Sequence, residues 1–121
     1  MKKILIVDDQ VTIRDLVEAA LRSDQCLVLH AASGELALEI AAAEKPDLIL
    51  LDIMLPDGID GYEVARSLKM DPGTRKTPII ALTAKVQQAD RQQAFAAGFD
   101  DYLTKPFTLK DLHEKVERYL A

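Results

Sequence analysis

The feature that most narrows the fold is a rhythm of short apolar runs. Five recur along the chain: Ile4 to Val7, Cys26 to Leu29, Leu48 to Leu51, Ile79 to Leu82, and the shorter Tyr102 to Leu103. Each is hydrophobic at odd and even positions alike. A strand with one wet face alternates apolar and polar residues, whereas a strand covered on both faces of a parallel sheet does not. Between the runs the period becomes helical. Ile13, Leu16, Val17, Ala20 and Leu21 share one face of a first helix. Ser33 is placed to cap a second, running through Leu36, Ala37, Ile40 and Ala41 towards Pro46. Asp60 and Glu63 have capping-box spacing for a third through Val64 and Leu68. A fourth is predicted over Val86 to Ala97 with Gly98 at C′, and Thr108 caps a fifth whose apolar face is Leu109, Leu112, Val116 and Leu120.

The order is βα, repeated. Such alternation predicts an α/β three-layer sandwich, a parallel sheet with helices on both faces. Five strands in a short chain predict the flavodoxin-like strand order 2-1-3-4-5. With no internal repeat and no linker, residues 1–121 read as one domain with no room for an output domain.

Composition removes several classes. Twenty acidic residues against fifteen basic ones leave a formal charge of −5, which argues against a nucleic-acid surface. The single cysteine, Cys26, excludes an intramolecular disulfide framework and suits a reducing cytoplasm. No apolar stretch approaches the roughly 20 residues that span a bilayer. Met1-Lys2-Lys3 before Ile4 resembles the start of a secretory signal. The apolar run that follows stops at Asp8-Asp9, too soon for such a segment. A soluble cytoplasmic domain is expected.

Open α/β sheets bind their ligands outside the carboxyl ends of the strands, so the residues that follow each run carry the information. The first strand ends in Asp8-Asp9, the third in Asp52, the fourth in Thr83-Ala84 and the fifth in Thr104-Lys105-Pro106. The predicted strand order puts these four strands side by side. Three carboxylates then meet one hydroxyl and one ammonium. Crowded carboxylates repel unless a cation neutralises them, and oxygen ligands suit Mg²⁺. One carboxylate can attack a phosphoryl donor while a metal and a lysine neutralise the transferred group. Taken singly, each residue has an ordinary explanation: a turn or helix cap for Asp8-Asp9, a loop start for Asp52, a strand-end hydroxyl for Thr83, a solvated surface lysine for Lys105. Their joint placement is the signal.

With these residues in view, the sequence resembles response regulator receiver domains from end to end. The matching stretches are Ile4 to Asp9, Leu50-Leu51-Asp52-Ile53-Met54-Leu55-Pro56, Asp60-Gly61, Ile80 to Ala84, and Asp101-Tyr102-Leu103-Thr104-Lys105-Pro106-Phe107. The resemblance implies that Asp52 is the phosphoacceptor. It implies that Asp8 and Asp9 hold Mg²⁺ (Mn²⁺ being an alternative), Asp9 directly, with Asp52 and the Met54 carbonyl completing the protein ligands. Thr83 and Lys105 would contact the phosphoryl group, and a cis peptide between Lys105 and Pro106 would aim the lysine inward. Thr83 and Tyr102 would form the switch, remodelling the surface of the fourth helix, fifth strand and fifth helix. A core aromatic with a wet hydroxyl is the plain alternative for Tyr102. The implied donor is a histidine kinase or a histidine phosphotransfer protein. The implied product is a signalling state that controls partner binding, in a domain that catalyses only its own phosphorylation and dephosphorylation. A monomer or a phosphorylation-dependent dimer fits, and so does either a stand-alone receiver or one cut from a longer protein.

Two departures stand out. The loop Asp57-Gly58-Ile59-Asp60-Gly61 is one residue longer than the commonest family form, and Gly58 is expected to absorb the extra length at positive φ. Met54 and Lys85 occupy positions that border the phosphoryl group in the family. An apolar Met54 cannot orient an attacking water, so a long-lived phosphoaspartate is expected. Val11 and Phe107 flank the cleft as candidate contacts for a donor helix or as local packing. The run Gln87 to Gln93 reads as a solvated helix face and a candidate partner surface. His30 and His113 lack partners at metal-ligand spacing, and Cys26 reads as a small core residue.

Three other classes fit less well. A Mg²⁺-dependent phosphohydrolase usually carries Asp-x-Asp after its first strand, with a cap domain. A flavodoxin would need a Ser-, Thr- and Gly-rich phosphate loop where this chain has Asp8-Asp9. A degenerate receiver would lack an acid or the lysine.

Overall fold

A computed structural model describes residues 1–84 and 88–120. The elements run β1 (Lys2–Val7), α1 (Val11–Leu21), β2 (Cys26–Ala31), α2 (Gly34–Glu44), β3 (Leu48–Asp52), α3 (Gly61–Met70), β4 (Ile79–Thr83), α4 (Gln88–Ala97), β5 (Asp101–Thr104) and α5 (Leu109–Leu120). The five strands form one sheet in the order β2-β1-β3-β4-β5, all pairs parallel, as expected. The expected helix start at Val86, with Lys85 and Gln87, lies outside the described residues. None of the described helices is long and apolar enough to cross a membrane.

The double-parity runs explain the layers. Every residue of β3 and β4 is buried, because these strands lie inside the sheet with helices over both faces. Leu5, Val7, Ile49 and Leu51 pack with α2, α3 and α4, while Ile4, Ile6, Leu48 and Leu50 pack with α1 and α5. Alternate residues of one strand thus feed two cores. On the edge strand β2, Leu27 is exposed, since only one neighbour shields it.

The caps are local and form where expected. The Ser33 hydroxyl accepts from Leu36 N at 3.2 Å, and the Asp60 carboxylate accepts from Glu63 N at 3.0 Å. At α5 Thr108 is half of a reciprocal box: its hydroxyl accepts from Asp111 N at 3.0 Å, and the Asp111 carboxylate accepts from Thr108 N at 3.5 Å. Gly98 N and Phe99 N donate to Phe95 O and Ala94 O, the Schellman pair that closes α4. Three expected core residues face outward instead. Leu16 is 42% exposed, Leu36 40% and Leu109 50%.

Candidate functional site

The site forms where β1, β3, β4 and β5 end together. Asp8 is fully buried, just beyond β1, and Asp52, the last residue of β3, is 4% exposed. Asp9 projects into solvent beside them. One carboxylate oxygen from each of the three lies within 4.8 Å of the others. Lys105 reaches in from the end of β5, with its ammonium 2.7 Å from Asp8 Oδ2 and 3.2 Å from Asp52 Oδ2. The Lys105–Pro106 peptide is cis. Thr83 is buried at the end of β4, and its carbonyl accepts from Lys105 N at 2.8 Å.

Backbone contacts fix the acids. Asp52 Oδ1 accepts from Met54 N at 2.9 Å, and Asp8 Oδ1 accepts from Gln10 N at 2.9 Å. Gly61 allows the following loop to fold back, because a Cβ there would stand 2.5 Å from the Asp52 carbonyl oxygen. Gly58 has the expected positive φ, at +74°, while Glu35 in the first turn of α2 accepts from Ile59 N at 3.2 Å. Met54 itself is 58% exposed.

Of the three clustered carboxylates, two bond the Lys105 ammonium. Burial pushes the Asp52 carboxyl above its ordinary range; the Met54 N–H and Lys105 pull it down, while Asp8 pushes it further up. Burial alone would lower Lys105, but its bond to Asp8 and the charges of both acids outweigh that and hold it above the usual lysine value. It therefore stays charged at neutral pH. An all-oxygen donor set with excess negative charge is what a hard divalent cation takes, so these residues fit Mg²⁺.

The remaining sequence candidates are scattered around this centre. Tyr102 is half-buried on β5, with the Arg91 guanidinium 4.7 Å and the Lys115 ammonium 5.7 Å from its ring centroid. The ring also packs against the core that β1 and β3 share with α2, α3 and α4, so it meets apolar and cationic neighbours together. Val11 is exposed at the start of α1, whereas Phe107 packs partly into the α1–α5 core. His30 contacts Glu18, His113 is exposed, and Cys26 is partly buried with its thiol raised by that burial.

Two features escaped the sequence reading. Arg14 on α1 donates from Nη1 to the Asp8 carbonyl oxygen at 2.8 Å. Its position one turn after Gln10 was the available signal, since helical side chains lean back towards the N-terminus. Asp101 gathers Lys115, Arg118 and Tyr119 at 2.9, 3.2 and 3.1 Å. Those three lie on one face of α5, at spacings of three and four residues.

The sequence matches the family model for the response regulator receiver domain over residues 4–117. It is 44% identical over 119 residues to the phosphate regulon transcriptional regulatory protein PhoB of Pseudomonas aeruginosa, covering 98% of this chain and 52% of that protein. It is 45% identical over 104 residues to the response regulator PleD of Caulobacter vibrioides, covering 86% of this chain and 23% of that one. The chain spans about half the length of PhoB and of the Bacillus subtilis regulator PhoP. Among solved structures, the chemotaxis protein CheY4 of Vibrio cholerae superposes with a TM-score of 0.92 at 32% identity, covering 99% of both chains. The receiver domain of the sensor histidine kinase PA1611 of P. aeruginosa, with magnesium in its cleft, superposes at 0.87 with 38% identity, covering 98% of this chain and 96% of that one.

Proposed function

Because this chain belongs to the response regulator receiver domain family, we propose that it is a phosphoryl-operated switch with Asp52 as acceptor. The observation that carries this reading is the Lys105 ammonium set between Asp8 and Asp52, with the Asp9 carboxylate beside them. A carboxylate oxygen of Asp52 attacks the phosphorus of a phosphohistidine on a kinase or phosphotransfer protein. The P–N bond breaks, and the imidazole leaves with its electron pair. Lys105 then exchanges its contact with Asp52 for one with a phosphoryl oxygen, and the Thr83 hydroxyl binds another. Asp8, Asp9, Asp52 and the Met54 carbonyl hold Mg²⁺, which supplies charge neutralisation for the transferred group.

The phosphoryl group brings about −1.5 to −2 charges and three acceptor oxygens next to β4 and β5. Drawing Thr83 towards them frees room for Tyr102 to turn inward, and the surface of α4, β5 and α5 changes shape. That surface is where a downstream partner or a second copy binds. Nothing on this acidic chain is assigned to nucleic acid. The domain is a stoichiometric acceptor rather than a turnover enzyme, and we assign it to the cytoplasm. PhoB and PhoP are named transcriptional regulators, and by analogy the cleft acts upstream of an output.

Intact mass after incubation with a small-molecule phosphodonor tests the reading. One phosphoryl group should add in Mg²⁺, none in EDTA and none to Asp52→Ala. Addition to Asp52→Ala, or consumption of donor without an adduct, would replace the acceptor reading with another site or with hydrolysis. Following the adduct with time measures its lifetime, which Met54→Asn should shorten by offering a group that can orient water.

A further inference from the structure

We propose that Arg14 is a positioning residue of the cleft, one that aims Asp9 by holding the peptide unit joining Asp8 to Asp9. The inference rests on reading the cleft as a Mg²⁺-dependent phosphoacceptor site. The Asp8 carbonyl oxygen belongs to that peptide, and Arg14 Nη1 donates to it at 2.8 Å. Arg14 also binds the far side of the same turn, its backbone N–H donating to Gln10 O at 3.2 Å. Gln10 N closes back on Asp8 Oδ1 at 2.9 Å. The turn Asp8-Asp9-Gln10 is thereby held from both ends by one residue of the first helical turn, and Asp9 is the side chain at its tip.

A second observation points the same way. Arg14 Nε is buried and has no hydrogen-bond partner among the described residues. A buried donor left unmatched is unfavourable, and more so on a cation. What the placement achieves is a charged N–H donor set against the carbonyl of the acidic turn. Charge argues in the opposite direction: a guanidinium beside three carboxylates repels a divalent cation. If Arg14 acted only through its charge, removing it would tighten Mg²⁺ binding. Positioning requires that binding weaken.

The test is Mg²⁺ affinity by titration calorimetry on the whole chain, with unfolding in EDTA as the control for folding. Arg14→Met keeps most of the stem and should weaken Mg²⁺ binding about tenfold, the low end for a residue that orients a metal ligand. Arg14→Lys keeps a donor and the charge and should remain within about threefold of wild type. In an Asp9→Asn background, Arg14→Met should have no further effect, because both changes act through one carboxylate. Equal or tighter binding by Arg14→Met overturns the proposal, as does a tenfold loss that persists in Asp9→Asn. If Arg14→Met does not fold, Arg14→Gln takes its place with the same expected order. A wild type that binds no Mg²⁺ would instead remove the phosphoacceptor reading beneath it.

Discussion

Two buried carboxylates at opposite ends of the sheet meet opposite fates. Asp52, at the end of β3, shares one lysine with Asp8, and burial leaves its carboxyl above the ordinary range. Asp101, at the start of β5, is also pushed up by burial. Hydrogen bonds from Lys115, Tyr102 N and Tyr119, with the charge of Lys115, more than offset this and hold it below. The chemistry of the two groups is the same. What differs is what bonds to the carboxylates: among the described residues two cations and a hydroxyl meet on Asp101, whereas the Asp8 and Asp52 carboxylates share the Lys105 ammonium. Asp101 fastens α5 to the sheet. The cleft keeps negative charge uncompensated, and that residue of charge is what a cation and a phosphoryl transfer can act upon.

The contrast is open to several breaks. The largest effect is expected from the lysines. Without divalent cation, Lys105→Met strands two buried acids and should lower unfolding free energy by about 3 kcal/mol. Lys115→Met leaves Arg118 and Tyr119 on Asp101 and should cost about 1 kcal/mol. Urea unfolding in EDTA compares them, and equal losses would erase the distinction. Next, Mg²⁺ at a hundred times its dissociation constant should stabilise the wild type and Asp101→Asn alike by about 2.7 kcal/mol, and Asp52→Asn by clearly less. A loss of the Mg²⁺ effect in Asp101→Asn would show that the two clusters are coupled.

Asp101→Asn should then cost about 2 kcal/mol at pH 7, the size of charged hydrogen bonds lost. Its folded pKa is depressed, so its contribution is complete above the ordinary value of 3.8 and is lost as pH falls through the lower folded value. The gap between wild type and Asp101→Asn should therefore close below that pH. The smallest effect is a gain. Asp52→Asn should raise metal-free stability by about 1 kcal/mol at pH 7 by removing an unfavourable charge. The folded pKa of Asp52 is raised, so this gap closes as pH falls through that raised value, above 3.8 rather than below it. Acid titrations of stability that show both gaps closing on the same side would contradict the comparison.

How much of this could be read in advance follows from the range of each interaction. Ser33, Asp60 and Thr108 cap helices through contacts three residues away, so their pattern sufficed. The strand order followed from counting βα units, and with it the meeting of Asp8, Asp52, Thr83 and Lys105 at one edge. The outward faces of Leu16, Leu36 and Leu109 were not legible, because periodicity gives an apolar stripe but not the width of the sheet beneath it. The Asp101 cluster was hidden for a related reason. It depends on how α5 lies across β5, which no local pattern records.

The bond from Lys105 to Asp8 joins residues 97 positions apart. On the ribosome, at about 5–20 residues per second, the acidic pair emerges and waits on the order of 5–20 seconds for its lysine. During that interval the chain has acids but no cleft, since β5 has not yet been added to the edge of the sheet. The cleft is thus completed only when β5, the last of the described strands, joins the sheet, and a chain interrupted before Asp101 holds its acids without their lysine.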